Sequence, residues 1–419
     1  MNKYIIVSAL ILLVSCSTGE DVNPSDTFVK FYGDDAAYAL TDMIFTANND
    51  GLVLLGTRRG VKIFDSNTSI DSVLSRIFLI EVDLTGKEVR RREYGFQFDV
   101  EASRVKAVDG GYLVIGTQTT DVSTRVVWGS MNENFESASF QAYGPVMTSA
   151  YYGVDINPTS DGGVFIAGYT DVNGTNDFFY SKIGGTEEWE RVQTRLGSDD
   201  QLIRAIPYGV DGFVLVGQTQ TPSDDGEGGI NVERTIISSD GIIVNSGIYG
   251  ISTAGSANWD DVPSDVIEKP GGFVIVGKST LATASKPFAL LVDLTGASST
   301  ERIYEEEFPS GANAVNAGAN AVTLTETNDV FISGTIEAFA DPAEKGLNKG
   351  DQVFVMRADQ DGTSLTDFRH YGLINGEERA VRALTAPDGS IFIGATYDFG
   401  PGLSQLALLK MNVEGDLKQ

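Results

Sequence analysis

Asp109-Gly110-Gly111-Tyr112-Leu113-Val114-Ile115-Gly116 reads as a tight turn, a short apolar run and a closing glycine. Four apolar residues are too few for a helix, and the Asp-Gly pair before them marks a hairpin. The phrase recurs at 49–56, 161–168, 211–217, 270–277, 328–334 and 388–394. Its closing glycines, Gly56, Gly116, Gly168, Gly217, Gly277, Gly334 and Gly394, stand 60, 52, 49, 60, 57 and 60 residues apart. A fixed period of this size signals a repeat architecture.

Each copy lies in a longer pattern. A weaker strand precedes the turn, as in Ala102 to Val108 or Arg379 to Thr385. A third strand follows and ends in an acidic turn, as in Phe78 to Gly86, Phe288 to Gly296 and Val353 to Gly362. Several repeats then close on Tyr-Gly, at Tyr94-Gly95, Tyr143-Gly144, Tyr249-Gly250 and Tyr371-Gly372. Four short strands per repeat predict a β-propeller blade. The second strand is apolar throughout, as expected when both faces of a sheet are covered. The 47 glycines among 419 residues exceed the usual ~7% and suit the many turns required.

The chain begins and ends out of phase with this repeat. Thr27 to Gly33 reads as an isolated fourth strand with the Tyr-Gly ending, while the last repeat stops at 414–419 where its own fourth strand should begin. The prediction is an all-β, seven-bladed propeller of four-stranded antiparallel blades over 27–419, its ring closed by the N-terminal strand completing the last blade. The pattern resembles the Asp-Gly-Gly propeller repeats of bacterial secreted and surface proteins over residues 27–417, with less regular third strands in repeats three and four. That resemblance implies a fold and leaves function open.

The segment before the repeats reads differently. Asn2 and Lys3 precede an apolar run, Tyr4 to Val14, too short to span a bilayer. Leu13-Val14-Ser15-Cys16 resembles the lipobox of bacterial lipoproteins, which implies cleavage after residue 15 and lipidation of Cys16. Residues 16–26 would form the tether, and Glu20-Asp21 resembles the acidic signal that exports Bacteroidota lipoproteins to the cell surface. The expected location is the outer membrane, lipid-anchored and facing the exterior.

Composition narrows the chemistry. A net charge of −28 argues against nucleic acid. Cys16 is the one cysteine and His370 the one histidine, so a zinc site of the usual ligands and a Cys–His pair are excluded. His370 sits in an outer-strand position beside Tyr371 and reads as structural. Asp171 to Asp177 and Asp359 to Gly362 alternate oxygen ligands in the manner of calcium loops, but neither reaches a closing glutamate. No cofactor and no catalytic residue is assigned. Carboxylate-pair chemistry stays open, since 58 acidic residues offer many pairs and no preference.

The turns at one end of the blades are tight, whereas the long insertions (58–76, 171–177, 218–234, 250–261, 310–318, 336–351 and 397–404) all fall at the other. That loop-rich rim is the expected recognition face. Its candidates are Arg58, Arg59, Trp259, Asp260, Asp261, Tyr397 and Phe399, with Trp259 beside two carboxylates suited to stacking on a sugar. Acidic residues recur before the first strands (Asp35, Glu101, Asp200, Asp261, Glu378); they would ring a channel mouth or cap a repeated turn. The resulting expectation is a non-enzymatic scaffold with a protein partner in the outer membrane. A glycan-binding lipoprotein is the second reading, and a carboxylate-based glycan hydrolase or lyase the third.

Overall fold

The computed structural model describes residues 27–34, 36–60, 74–136, 138–145, 149–172, 174–195, 197–220, 229–251, 260–281, 284–304, 316–337, 350–366, 368–373, 376–400 and 402–417. Among them there is no helix. Five four-stranded antiparallel meanders span 99–143, 151–193, 199–249, 260–303 and 317–371. A further eight strands, within 28–32, 37–94 and 377–411, form one sheet whose two halves meet through a single parallel bridge, Ala37 to Ser404. The all-β class and the four-stranded antiparallel unit are therefore as expected. So is the placement of Phe28–Tyr32, which pairs antiparallel with Leu403–Met411, the last strand of the chain.

The seven first strands are Ala37–Phe45, Asp99–Val108, Tyr151–Pro158, Asp199–Tyr208, Asp260–Lys269, Ala317–Leu324 and Glu377–Thr385. Each touches the next in chain order, and Glu377–Thr385 touches Ala37–Phe45. The second strands are buried along nearly their whole length, as in Gly51–Arg59. Cores fill the gaps between successive sheets; Phe165 stacks on Phe213 across one gap with ring centroids 3.7 Å apart.

Two recurrent devices explain the sequence phrase. The hairpin before each second strand holds a residue at positive φ: Asn49, Gly110, Gly162, Asp211 (with Gly209), Gly271, Asn328 and Gly389. The closing glycine then faces a β-bulge in the first strand. A Cβ at Gly116 would lie 2.2 Å from the Glu101 carbonyl oxygen, and one at Gly168 would lie 1.8 Å from that of Tyr152. The last repeat departs from the expected spacing, because Ala395 rather than Gly394 stands opposite Ala380 beside its bulge.

Several tyrosines at the ends of outer strands, two of them in Tyr-Gly pairs, bond across to the next sheet. Tyr32 donates its hydroxyl proton to the Gly86 carbonyl at 2.6 Å, Tyr304 to Gly362 at 3.0 Å and Tyr371 to Gly415 at 2.5 Å. Each bond runs from an outer strand to a turn of the following sheet. For Tyr32 the following sheet region is 37–94, so the N-terminal strand joins the last strand to the first repeat.

Each first strand shifts register once, and the residues just past the shifts are Asp42, Arg104, Asp155, Arg204, Asp265, Ala321 and Arg382. Their charges alternate, with one neutral position. Arg104 lies 3.4 Å from Asp42, and Arg204 lies 3.5 Å from both Asp155 and Asp265. Arg382 joins the two ends of the ring, 2.7 Å from Asp265 and 3.7 Å from Asp42, while Arg104 pairs with Asp42 and not with Asp155. Lys106 adds a contact of 3.6 Å to Asp155. The carboxylates also accept backbone hydrogen bonds from the next first strand: Val105 to Asp42 and Ala205 to Asp155 at 3.1 Å, and Val322 to Asp265 at 3.2 Å.

Burial alone would raise the Asp155 and Asp265 pKa values, but the surrounding cations hold both below the usual carboxylate range. Their stabilising contribution is thus complete above the unfolded value of ~3.9 and is lost only as pH falls through the lower folded values. Removing one partner of such a buried set costs about 3–5 kcal/mol, because the remaining charges stay desolvated. Asp265→Ala, which leaves Arg204 with Asp155 alone and Arg382 with Asp42 alone, should lower unfolding free energy in urea by about that amount at neutral pH. It should also sensitise the protein to salt.

Candidate functional site

Above this charged floor lies a cavity of about 1110 Å³. It is built from the beginnings of first strands and the ends of second strands, at the end of the sheets where the long connections depart. Arg104 and Asn320 reach it from the floor, and Asn320 is fixed by donating to Thr335 Oγ1 and to the Ala380 carbonyl, both at 2.8 Å. One wall is acidic: Glu337 and Asp351 stand opposite each other in one sheet, and Glu377 and Asp398 do so in the next. Arg59, Lys278 and Arg379 supply positive charge. A second, shallower cleft of about 450 Å³ beside Arg92 to Phe96 contains Glu93, which is already committed to Arg58.

Glu378 is the unusual member of the acidic wall. It occupies the position four residues before Arg382, equivalent to Asp200 before Arg204 and Asp261 before Asp265. Asp261 is satisfied through both oxygens, whereas Asp200 is bonded through Oδ1 alone and its Oδ2 lies 3.9 Å from Arg195. Asp261 accepts from Ile251 N at 2.6 Å and Ser279 Oγ at 2.5 Å, and Asp200 accepts from Ser198 and Thr219. They cap the incoming connection, the role a repeated turn residue would have. Glu378 is equally buried, yet its Oε1 accepts only from Leu373 N at 3.2 Å and its Oε2 has no partner. The carboxyl fits because Gly372 and Gly376 flank it; a Cβ on either would lie 2.7 and 2.0 Å from its oxygens.

Burial, reinforced by Asp351, Asp398 and Glu377, raises the Glu378 pKa to about 7. Asp351 is raised by burial and by Glu337 and Glu377. A carboxyl so placed holds a proton near neutrality and exchanges it readily, the property acid–base catalysis requires.

The residues singled out from sequence disperse. Arg58 is structural: its Nη1 donates to both Glu93 oxygens at 2.9 Å, and its guanidinium lies over the Tyr38 ring, 5.7 Å from the centroid. Arg59 lines the cavity and sits 3.6 Å from exposed Glu101. Asp260 accepts from Ile230 N at 3.1 Å and lies outside the cavity lining, as does Asp261. Tyr397 is core, edge-on to Phe31 at 5.2 Å; Phe399 is exposed and edge-on to the same ring at 5.5 Å. Cys16, Asp35 and Trp259 lie outside the described residues.

His370 accompanies Gln352 on an outer strand, its Nδ1 2.5 Å from Gln352 Oε1. In the supposed calcium loops, Asp171 accepts from Ala150 N, and Asp359 accepts from Asp361 N and Thr363 N. Among the described residues no group of metal-ligating side chains gathers. Sequence reasoning missed Glu337, Asp351, Glu377, Asp398, Lys278 and Arg379. The one available signal was the run Glu377-Glu378-Arg379, charged where other first strands are more apolar.

No family model matches the sequence, and no curated relative does. Solved structures do. The chain is similar to an ulvan lyase of polysaccharide lyase family PL25, bound to -[GlcA(1-4)Rha3S]-, with TM-score 0.53 and 9% identity over 93% of this chain and 97% of that one. A second structure of that lyase gives TM-score 0.52 at 9% identity, with the same coverage. The β-propeller domain of the Trilobed protease from Pyrococcus furiosus gives 0.47 at 11% identity, covering 92% of this chain and 97% of that domain. The fold is of the β-propeller kind.

These findings correct the expectation of a non-enzymatic scaffold. That expectation rested on the scarcity of histidine and cysteine. A polysaccharide lyase has a similar fold along almost its whole length, and the cavity here is lined by carboxyls, which can move protons without either residue.

The raised Glu378 pKa has a consequence for stability. Its folded value lies above the unfolded ~4.3, so its neutral form favours the fold at low pH, and that contribution is lost as pH rises through about 7. Glu378→Gln should therefore raise the melting temperature relative to the parent at about pH 8, with the difference vanishing near pH 4. Differential scanning calorimetry at the two pH values reads this directly.

Proposed function

We propose that this protein is a polysaccharide-cleaving enzyme in which Glu378 acts as general acid. The observation that carries the reading is the buried Glu378 carboxyl, with one oxygen unpartnered, in the wall of a large polar cavity. As the glycosidic C–O bond breaks, Glu378 delivers its proton to the departing oxygen. Hydrolysis and elimination both need that step, so it does not depend on which of them follows. Asp351, Asp398 and Glu377 act through their charge, keeping the proton on Glu378 until substrate arrives. The likeness to a lyase bound to a polysaccharide supports trying polysaccharides first.

The reading includes an architecture and a location. The architecture is a seven-bladed ring latched by Phe28–Tyr32. Its support is the cycle of first-strand contacts, the ion pair between Arg382 and Asp42 and the Tyr32 bond to Gly86. The location is the outer face of the outer membrane, through a lipid on Cys16, supported by Leu13-Val14-Ser15-Cys16 and the acidic pair Glu20-Asp21. A polysaccharide-cleaving enzyme there would meet polymers too large to enter the cell.

Purified protein incubated with a panel of acidic and neutral polysaccharides should generate new chain ends, measured as reducing ends and as ultraviolet absorbance of unsaturated ends. Glu378→Gln should lower kcat by about 10²–10⁴ while retaining the fold. The parent rate should decline as pH rises above about 7, where the proton is lost. Full activity in Glu378→Gln would end the assignment. For the location, Cys16→Ser should move the protein from the membrane pellet to the soluble fraction and abolish labelling by a clickable fatty acid.

A further inference from the structure

The acidic wall draws attention first, but the cations beside it carry more information. The chain has 58 acidic residues against 30 basic ones, and most described arginines find a carboxylate partner. Lys278 and Arg379 do not: both line the cavity, both are exposed to it, and neither has an ion pair or hydrogen bond among the described residues. Glu337, Asp351, Glu377 and Asp398 line the same space, yet none comes within ion-pairing distance of either cation. The geometry thus keeps two positive groups available in a protein whose charge would otherwise collapse onto them.

Their mounting is firm. Lys278 extends from a second strand, Gly272–Leu281, with its aliphatic stem lying along Gly318 of the adjoining sheet; a Cβ there would approach Lys278 Cβ to 3.2 Å. Arg379 projects from Glu377–Thr385, one residue after Glu378. The sheet at 317–371, which carries Glu337 and Asp351, stands between the two strands that bear them. A ligand filling the cavity that Glu378 lines therefore shares it with a lysine and an arginine.

We propose that Lys278 and Arg379 form a subsite for an anionic group of the sugar chain, a carboxylate or a sulfate ester. This rests on the reading of the cavity as a polysaccharide site. A strongly acidic protein repels an acidic polymer at long range. Cations held unpaired at the point of contact offset that repulsion locally, and they bind carboxylate or sulfate oxygens by charge-assisted hydrogen bonds. Arg379 can engage two such oxygens at once, while Lys278 acts as a point charge. The anionic group fixes the register of the chain, setting the neighbouring glycosidic oxygen against Glu378.

Binding should be measured by affinity electrophoresis and calorimetry on Glu378→Gln protein, so that the polymer survives. Three probes separate the sources of charge: polygalacturonate carries carboxylates alone, a sulfated galactan carries sulfates alone, and a β-glucan carries neither. The expected result is binding of one or both acidic polymers and none of the glucan, weakening as salt is added. Lys278→Gln with Arg379→Gln should reduce that affinity about tenfold or more, the loss of charged hydrogen bonds, at unchanged melting temperature. Equal binding of the glucan, no binding of any probe, or full affinity in the double variant would overturn the subsite. If the parent binds an acidic polymer tightly but never cuts it, the catalytic role of Glu378 fails and the subsite stands. If it cuts the uncharged glucan as well as the others, the reverse holds.

Discussion

Six charged side chains meet where the first strands converge, and they can be buried there only because they alternate. Each cation in that circuit touches an anion, and the three carboxylates also take a backbone N–H from the next strand. There are seven first strands, and strict alternation over an odd number of positions would set two like charges side by side. At an effective dielectric of about 20 that contact would cost about 4 kcal/mol at 4 Å. Ala321 removes the conflict. It occupies one of the seven positions without charge, and Arg382 reaches past it to Asp265.

The bulge makes the circuit geometrically possible. An extra residue in each first strand rotates the next side chain toward its neighbours. The partner strand must then tolerate a carbonyl almost in contact with its own Cα, so glycine stands at most closing positions. The glycine that announces the repeat in the sequence is therefore a trace of the charged centre. Conservation of the phrase from repeat to repeat needs no further cause, and it says nothing about what the protein binds.

This is why fold and site differed so much in legibility. Second strands and their turns are local patterns, readable from Asp109 to Gly116 alone. The Tyr-Gly endings were visible too, but not that Tyr32 and Tyr371 bond a turn of the next sheet while Tyr143 bonds a glutamate. The charge circuit was hidden, because its successive members lie 49 or more residues apart in strands that read as weak. The site was harder still. Asp200, Asp261 and Glu378 share one position and one kind of signal, yet Asp261 is capped on both oxygens, Asp200 has an arginine 3.9 Å from its free oxygen, and Glu378 has neither. Nothing in the local sequence around Glu378 reports that its oxygen lacks a partner. Arg58 and Tyr397 misled for the opposite reason, since a residue at the edge of a long insertion can still face the core.

The circuit and the cavity are best understood together. A site that holds a carboxyl neutral near pH 7 needs a poorly solvated wall and negative neighbours that cannot swing away or be neutralised by nearby cations. The floor meets the second need by absorbing Arg104, Arg204 and Arg382 into fixed pairs, so these cations stay with Asp42, Asp155 and Asp265 rather than with Glu378. The wall meets the first by packing Glu378 against Gly372 and Gly376, where no side chain intervenes and little water fits. A tightly paired centre thus allows a frustrated rim. The same fold that places a cation beside every carboxylate of the circuit leaves Glu378 above it without one, and the proposed chemistry rests on that difference.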